Sequence, residues 1–288
     1  MDADSTAPAR GDDDEDGGDW GPFGRPLFDD ASARALSRVG VVDVGSNSVR
    51  MVVFDGAARS PAYFFNEKIM CGLGKGLAQT GLLHPEGKVR ALSALKRFSL
   101  LARGMNVSPF TVVATAAVRE AADGAEFQAQ VLCETGLKLH VIDGAEEARL
   151  SAQGVLLGWP GASGIVCDIG GNSMELARIG NGRVGKRVST PLGPFRLQQI
   201  EGGPKKRKAH IDAVLSAAVK EIRPAGDRIY LVGGSWRVIA RLDMERRSYP
   251  LTVLHEYRMT PEGLSDTLDW LATADLAALR GRTGTSAE

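Results

Sequence analysis

The sequence predicts an α/β protein built from two successive modules, each with its own mixed sheet. Two observations carry that expectation. The stretch VVDVGSNSVRMVVF at 41–54 runs a hydrophobic strand into an aspartate, a glycine and small polar residues, then turns back into a second strand. VCDIGGNSMELARI at 166–179 repeats the order Asp, aliphatic, Gly, small, Asn, Ser. After each copy the chain alternates segments of helical and strand period, which is the pattern of helices layered on a sheet.

Taken in order, 39–44 and 49–55 read as strands joined at 45–48, with a third strand near 62–70. CGLGKGLAQTG at 71–81 is a glycine-rich loop carrying Lys75. Segment 85–103 has helical period, with Val89, Leu92, Leu95, Phe98 and Leu101 making an apolar stripe. A strand at 110–115 ends in ATAAVRE; a helix at 126–135 and a strand at 138–142 close the first module. The pattern then restarts with a helix at 146–157 and strands at 164–168, 174–179 and 183–191. A helix at 209–222, a strand at 229–232 and a helix at 235–242 follow.

Composition narrows the class. A chain of 288 residues holds roughly one to three domains. No apolar run approaches the roughly 20 residues of a membrane span, and the start, MDADSTAPARGDDDEDGG, is acidic where a signal peptide is basic, so a cytoplasmic protein without membrane contact is expected. Cys71, Cys133 and Cys167 are few and widely spaced, and the four histidines have no ligand-like spacing; neither a disulfide framework nor a zinc site is indicated. Acids and bases balance at 35 each, but residues 1–30 hold ten acids against Arg10 and Arg25, leaving 33 basic and 25 acidic residues in the remainder. Residues 1–36 therefore read as a disordered acidic leader, and the positive body suits an anionic ligand. KKRK at 205–208 reads as a solvated loop face or a steering patch; no aromatic residues interleave with it, so no DNA is expected as a partner.

The duplicated turn has a chemical reading. Glycine permits a tight reversal, and consecutive N–H groups around 45–48 and 170–173 can point into one concavity, with Asn and Ser side chains adding donors. Such a concavity binds phosphate. Asp43 and Asp168, one at each strand end, repel phosphate unless a divalent cation lies between, and hard oxygen ligands suit Mg²⁺. A plain Gly-Ser-Asn hairpin is the competing explanation, and the second copy, with its aspartate in register, counts against it.

Six segments in order, VVDVGSNSVRMVVF, VVATAAVREAADGAEF, VIDGAEEARLSAQGV, VCDIGGNSMELARI, PLGPFRLQ and YLVGGSWRVIARL, resemble the exopolyphosphatase and guanosine pentaphosphate phosphatase (Ppx/GppA) family. The resemblance covers about residues 38 to 270. It implies two ribonuclease-H-like (actin-like) domains with mixed sheets around an interdomain cleft, over 37–145 and 146–288. The second domain stops short of the family's closing helix. The implied activity is Mg²⁺-dependent hydrolysis of a terminal phosphoanhydride, in inorganic polyphosphate or at the 5′ γ-phosphate of guanosine pentaphosphate. Members with extra domains resemble dimers, which leaves a homodimer open. By the same resemblance Glu147 is the general base and Arg119 faces the phosphates. Asp43, Asp168 and Glu175 are the metal and water-positioning acids. Gly45, Ser46, Asn47 and Ser48 form one phosphate loop, and Gly170, Gly171, Asn172 and Ser173 the other. Asn172 stands where the family has a third glycine and is expected to tolerate positive φ; Met174 stands where it has threonine. Glu146 and Glu147 also suit a helix N-terminus by macrodipole alone, and Asp143 reads as its cap. Two further readings remain open: an actin-like kinase of a small molecule, and a guanosine tetraphosphate or polyphosphate binder with impaired turnover.

Overall fold

The computed structural model describes residues 38–55, 62–275 and 277–279. The predicted leader at 1–36 and the end of the second predicted domain lie outside the described residues. Strands β1 (Val39–Val44), β2 (Ser48–Phe54) and β3 (Tyr63–Met70) form an antiparallel meander, which leads through α1 (Leu77–Thr80) into α2 (Pro85–Gly104). β4 (Phe110–Ala114) joins β1 in parallel, α3 (Ala116–Glu120) and α4 (Gly124–Thr135) follow, and β5 (Leu139–Val141) joins β4. The sheet order is β3-β2-β1-β4-β5.

The second lobe repeats the plan. Helix α5 (Gly144–Gly158) packs on the sheet of β6 (Gly164–Ile169), β7 (Met174–Gly180) and β8 (Arg183–Thr190). After α6 (Pro194–Leu197) and α7 (Gly203–Ile222), β9 (Ile229–Val232) joins β6 in parallel, giving the order β8-β7-β6-β9. Helices α8 (Gly234–Arg246) and α9 (Pro261–Thr273) come last. The chain thus adopts the expected α/β fold with two mixed sheets.

Side-chain alternation explains each lobe. Val42 and Val44 stand opposite Met51 and Val49, so all four face one core beneath α2. β6 is apolar on both faces because it is covered on both: Val166 packs with Ala148 and Ala152 of α5, while Ile165 and Cys167 pack with Ala218 and Ile222 of α7. α2 begins with Pro85 at its first turn and His84 Nδ1 accepting from Gly87 N, a start that the fixed φ of proline favours.

Several expectations need correction. The buried face of α2 is made by Ala91, Leu92, Ala94, Leu95, Phe98 and Ala102, while Val89 is 66% exposed; small alanines let the sheet approach and rotate the contact face away from Val89. Of ATAAVRE only Ala114 belongs to the strand; Thr115 is the N-cap and Ala116–Glu120 form α3, whose Ala116, Ala117 and Val118 are buried. The basic run at 205–208 is not loop: α7 starts earlier, with Pro204 in its first turn, and long basic side chains are good helix formers. Residues 261–273, left without an element, form α9, with Thr260 Oγ1 accepting from Gly263 N as its cap.

This difference in the α2 face is measurable. Phe98→Ala removes a fully buried ring and is expected to cost about 3–5 kcal/mol in urea unfolding, against less than about 0.5 kcal/mol for Val89→Ala. Equal costs at the two positions would mean that α2 is rotated from its described orientation.

Candidate active site

The two repeated turns share one geometry. Gly45 N donates to Ser48 O at 3.0 Å, and Gly170 N donates to Ser173 O at 3.0 Å. Among the described residues, no backbone hydrogen bond of the turns uses the N–H of Ser46, Asn47, Gly171 or Asn172, which leaves those donors for water or an anion. The turns also touch. A Cβ on Gly171 would lie 2.9 Å from Ser46 Cβ, and one on Gly74 would lie 2.9 Å from Ser46 Cβ and 3.2 Å from Asn172 Nδ2. Close approach, not positive φ, is what these glycines supply: Gly45, Gly170 and Gly171 all keep negative or extended φ. Asn172 does too, so the expectation of positive φ there is corrected. Its side chain is buried against Gly74 of the other lobe, which accounts for its fit.

The strand register brings the predicted acids together. Asp168 on β6 stands opposite Glu175 on β7, and Glu175 opposite Ser189 on β8. Ser189 Oγ donates to Glu175 Oε1 at 2.8 Å, and Ser151 Oγ, one turn beyond Glu147 on α5, donates to Asp168 Oδ2. Arg119, on α3 of the first lobe, donates to Glu147 Oε2 at 3.1 Å and to Ile142 O at 2.9 Å. Glu146 is not part of this cluster: Arg149 grips it from the same helix, at 2.6 Å from Oε1. Asp143 caps α5 as expected, accepting from Glu146 N at 2.7 Å.

Crowded acids in a dry place hold their protons. Desolvation first, and then the Glu175 charge, push Glu147 well above the usual carboxylate range, against the opposing pull of Arg119. Desolvation also raises Glu175, opposed by hydrogen bonds from Ser173 and Ser189, and raises Asp168, opposed by Ser151 and Arg237. Asp43 is wetted by the open cleft, yet it lies deep enough between the lobes that desolvation and the facing Asp168 push it upward as well.

Beside these acids lies a cleft of about 430 Å³, lined by Arg119, Glu120, Asp143, Ser173, Ser189 and Thr190. Glu147, Arg119, Asp168, Glu175 and Ser173 therefore converge, with Asp43 facing Asp168 from the first lobe. Lys75 is exposed in its turn. Sequence reasoning missed Ser151, whose four-residue spacing from Glu147 on one helix was a usable signal. It also missed Ser189, whose place depends on strand register, and Gly233. Gly233 has φ 104°, and a Cβ there would lie 2.9 Å from Asp168 Oδ1, so only glycine lets the β9–α8 turn pass the carboxylate.

For a metal the donor set matters more than its number. Among the described residues, no group of three or more His, Cys, Asp or Glu side chains converges tightly enough to hold a cation unaided. Asp43 and Asp168 are nevertheless hard oxygen donors, close enough to repel each other. Mg²⁺ is commonly held by one or two carboxylates together with substrate phosphates and water, so the residues present fit it.

Comparison with known proteins gives the family and the fold. The sequence model of the Ppx/GppA phosphatase family matches residues 52–281. Exopolyphosphatase 2 of Mycobacterium tuberculosis is 34% identical over 176 residues, 57% of this chain and 55% of that protein. Exopolyphosphatase 1 of Mycobacterium leprae is 29% identical over 218 residues, 71% of this chain and 64% of that protein. The chain thus spans less than two thirds of the length of these curated relatives. Among solved structures, an exopolyphosphatase from Cytophaga hutchinsonii has a TM-score of 0.71 at 25% identity, covering 82% of this chain and 80% of that one. The Aquifex aeolicus member of the Ppx/GppA family has a TM-score of 0.67 at 23% identity, covering 86% and 83%, a likeness of fold.

The buried acids make stability depend on pH. Their folded-state pKa values lie above the unfolded ones, so the stabilisation is complete below about pH 4 and is lost as pH rises from there into the neutral range. In metal-free buffer the melting temperature is expected to fall between pH 5 and pH 8. Replacing Glu147 and Glu175 by Gln should flatten that slope; an unchanged slope in the double variant would show that other groups set it.

Proposed function

The chain belongs to the Ppx/GppA phosphatase family, and from that premise we propose that it hydrolyses terminal phosphoanhydride bonds. The substrates are inorganic polyphosphate, the 5′ γ-phosphate of guanosine pentaphosphate, or both. The observation that carries this reading is the placement of Glu147: a carboxylate of raised proton affinity, held 3.1 Å from Arg119, beside a cleft into which the second repeated turn opens at Ser173.

Water attacks a phosphoanhydride slowly because both partners are electron-rich, so the protein must supply a base, positioning and charge neutralisation. Glu147 takes the proton of the attacking water at its carboxylate, and its upward shift matches a base working near neutral pH. Arg119 fixes that carboxylate and offers its remaining N–H groups to charge developing on the transferred phosphoryl oxygens. The free N–H groups of the two turns hold the terminal phosphate from both lobes. Glu175, fixed by Ser189, orients the water beside Glu147. Asp43 and Asp168, with Glu175 behind Asp168, are the residues that would hold Mg²⁺, which when bound supplies neutralisation of phosphate charge.

Phosphate release measured side by side on long polyphosphate, guanosine pentaphosphate and ATP tests the proposal. Release from either of the first two, with ATP spared, supports it. Transfer from ATP alone would replace it with a kinase, and tight binding without turnover would replace it with a binding protein.

Glu147→Gln is expected to lower kcat by about 10²- to 10⁴-fold with KM little changed, since it removes a base but keeps size and polarity. Wild-type kcat should rise with pH through the neutral range as Glu147 loses its proton, and the variant should lose that limb. A variant retaining both rate and limb would remove Glu147 from the chemistry. Asp168→Asn should raise the Mg²⁺ concentration for half-maximal rate by more than about tenfold. An unchanged Mg²⁺ titration would take Asp168 out of the metal site.

A further inference from the structure

The acidic leader is not uniform along its length. Eight of its ten acids precede Trp20, whereas positions 20–36 carry Trp20, Phe23 and Phe28 with Leu27 and Leu36, three aromatic residues in seventeen where the chain as a whole is 6% aromatic. The first stretch has nothing to bury. The second does, and the point at which it joins the fold is fixed: Ser108 N donates to Arg38 O at 3.0 Å, Arg38 Nη1 donates to Met105 O at 2.7 Å, and the guanidinium lies 4.0 Å from the Phe64 ring centroid.

That junction stands at the rim of a groove of about 520 Å³, at the end of β1 away from the repeated turn. Ala102 and Arg103 of α2, Val107, Ser108 and Phe110 at the start of β4, and Leu137 ahead of β5 line it. Val107, Phe110 and Leu137 each pack against the core of the first lobe, yet each keeps part of its surface uncovered. The rim is positive. Arg103 is exposed, with Nη2 3.9 Å from the place that a Cβ on Gly136 would take, and Lys138 is exposed beside Leu137. Among the described residues, no carboxylate lies within ion-pair distance of either cation; Glu134, one turn before Lys138, is taken by Lys96.

We propose that residues 27–36 of the same chain dock in this groove, with Leu27, Phe28 and Leu36 supplying the apolar contacts and Asp29 and Asp30 facing Arg103 and Lys138. The reach is sufficient. Leu36 is two residues from Arg38 and so within about 7 Å of it, and residues 27–36 extend to about 35 Å, against the roughly 10 Å over which Ser99 to Asn106 line the groove along α2. Tethering favours this occupant over a free one, because a segment fixed at Arg38 meets the groove at an effective concentration in the millimolar range. Charge favours it too: the two acids that directly follow Phe28 meet two cations without partners. The docked segment ties the end of α2 to the starts of β4 and β5, at the end of the lobe away from the catalytic cleft, and it is independent of the chemistry there.

Amide hydrogen exchange of the full chain, read by mass spectrometry, tests this. In a Leu27→Ser/Phe28→Ser variant the amides of 103–108 and 135–138 are expected to exchange about tenfold faster than in the wild type, while those of the second lobe keep their rates. Replacing Asp12, Asp13 and Asp14 by Asn should change neither set, since those acids lie outside the docked segment. Arg103→Glu should also speed exchange at the groove, and Asp29→Lys with Asp30→Lys should restore most of the protection in that background, a rescue that a purely structural role for Arg103 would not give. Wild-type exchange at the groove in the Leu27→Ser/Phe28→Ser variant, or no rescue by the charge swap, would overturn the docking. Protection that is lost on tenfold dilution would overturn it as well, because the groove would then be covered by a second copy and not by its own chain.

Discussion

Glu147, Asp168 and Glu175 stand together beside one cleft, with Asp43 facing them from the first lobe, and the fold must keep these acids close to one another. Their repulsion is met by near neighbours. Ser151 donates to Asp168, Ser189 donates to Glu175, and Arg119 is paired with Glu147. Each partner comes from a different element, so the positions of α5, β8 and α3 are tied to the acids they serve. Removing a partner leaves a poorly solvated charge, which costs more than the contact itself contributes. What the neighbours do not compensate, raised proton affinity absorbs, and that is the property a base near neutral pH requires.

The lobes are variations on one plan. In each, a hairpin turn of the same hydrogen-bonded form follows an aspartate, and a parallel strand leads into a helix carrying an arginine. Divergence sits in the row beside the aspartate, where one lobe carries Arg50 and Lys68 and the other Glu175 and Ser189. The two rows share backbone geometry and differ in charge.

How much of this was legible follows from the range of each interaction. The turns, their aspartates and the strands around them were readable because local pattern fixes them: alternation sets the face, and glycine with small polar residues sets the reversal. Asp143 was readable as a cap for the same reason. The face of α2 was not, because alanine contributes little to an apolar stripe yet decides how near a sheet can come. Asn172 was misjudged because its fit depends on Gly74 of the other lobe, nearly a hundred residues earlier in the chain. Ser189 acquires its meaning only from strand register, which one sequence does not display.

The contact between the lobes is small and of a particular kind. Gly171 and Gly74 allow Ser46 and Asn172 to meet without intervening side chains, while Arg119–Glu147 and Arg196–Glu120 join the lobes by ion pairs. Arg196–Glu120 is partly exposed and contributes less than about 1 kcal/mol, while the more buried Arg119–Glu147 pair loses to desolvation much of what its attraction gains. The relative position of the lobes therefore rests on steric fit at the turns and on the charge balance of the cleft. On the proposed hydrolase reading, a phosphate chain would act on the first of these by engaging turn donors from each lobe. On that reading substrate binding and lobe position would be linked through the same residues, and a substitution at Ser46 or Gly171 would change catalysis by altering the distance between the two turns.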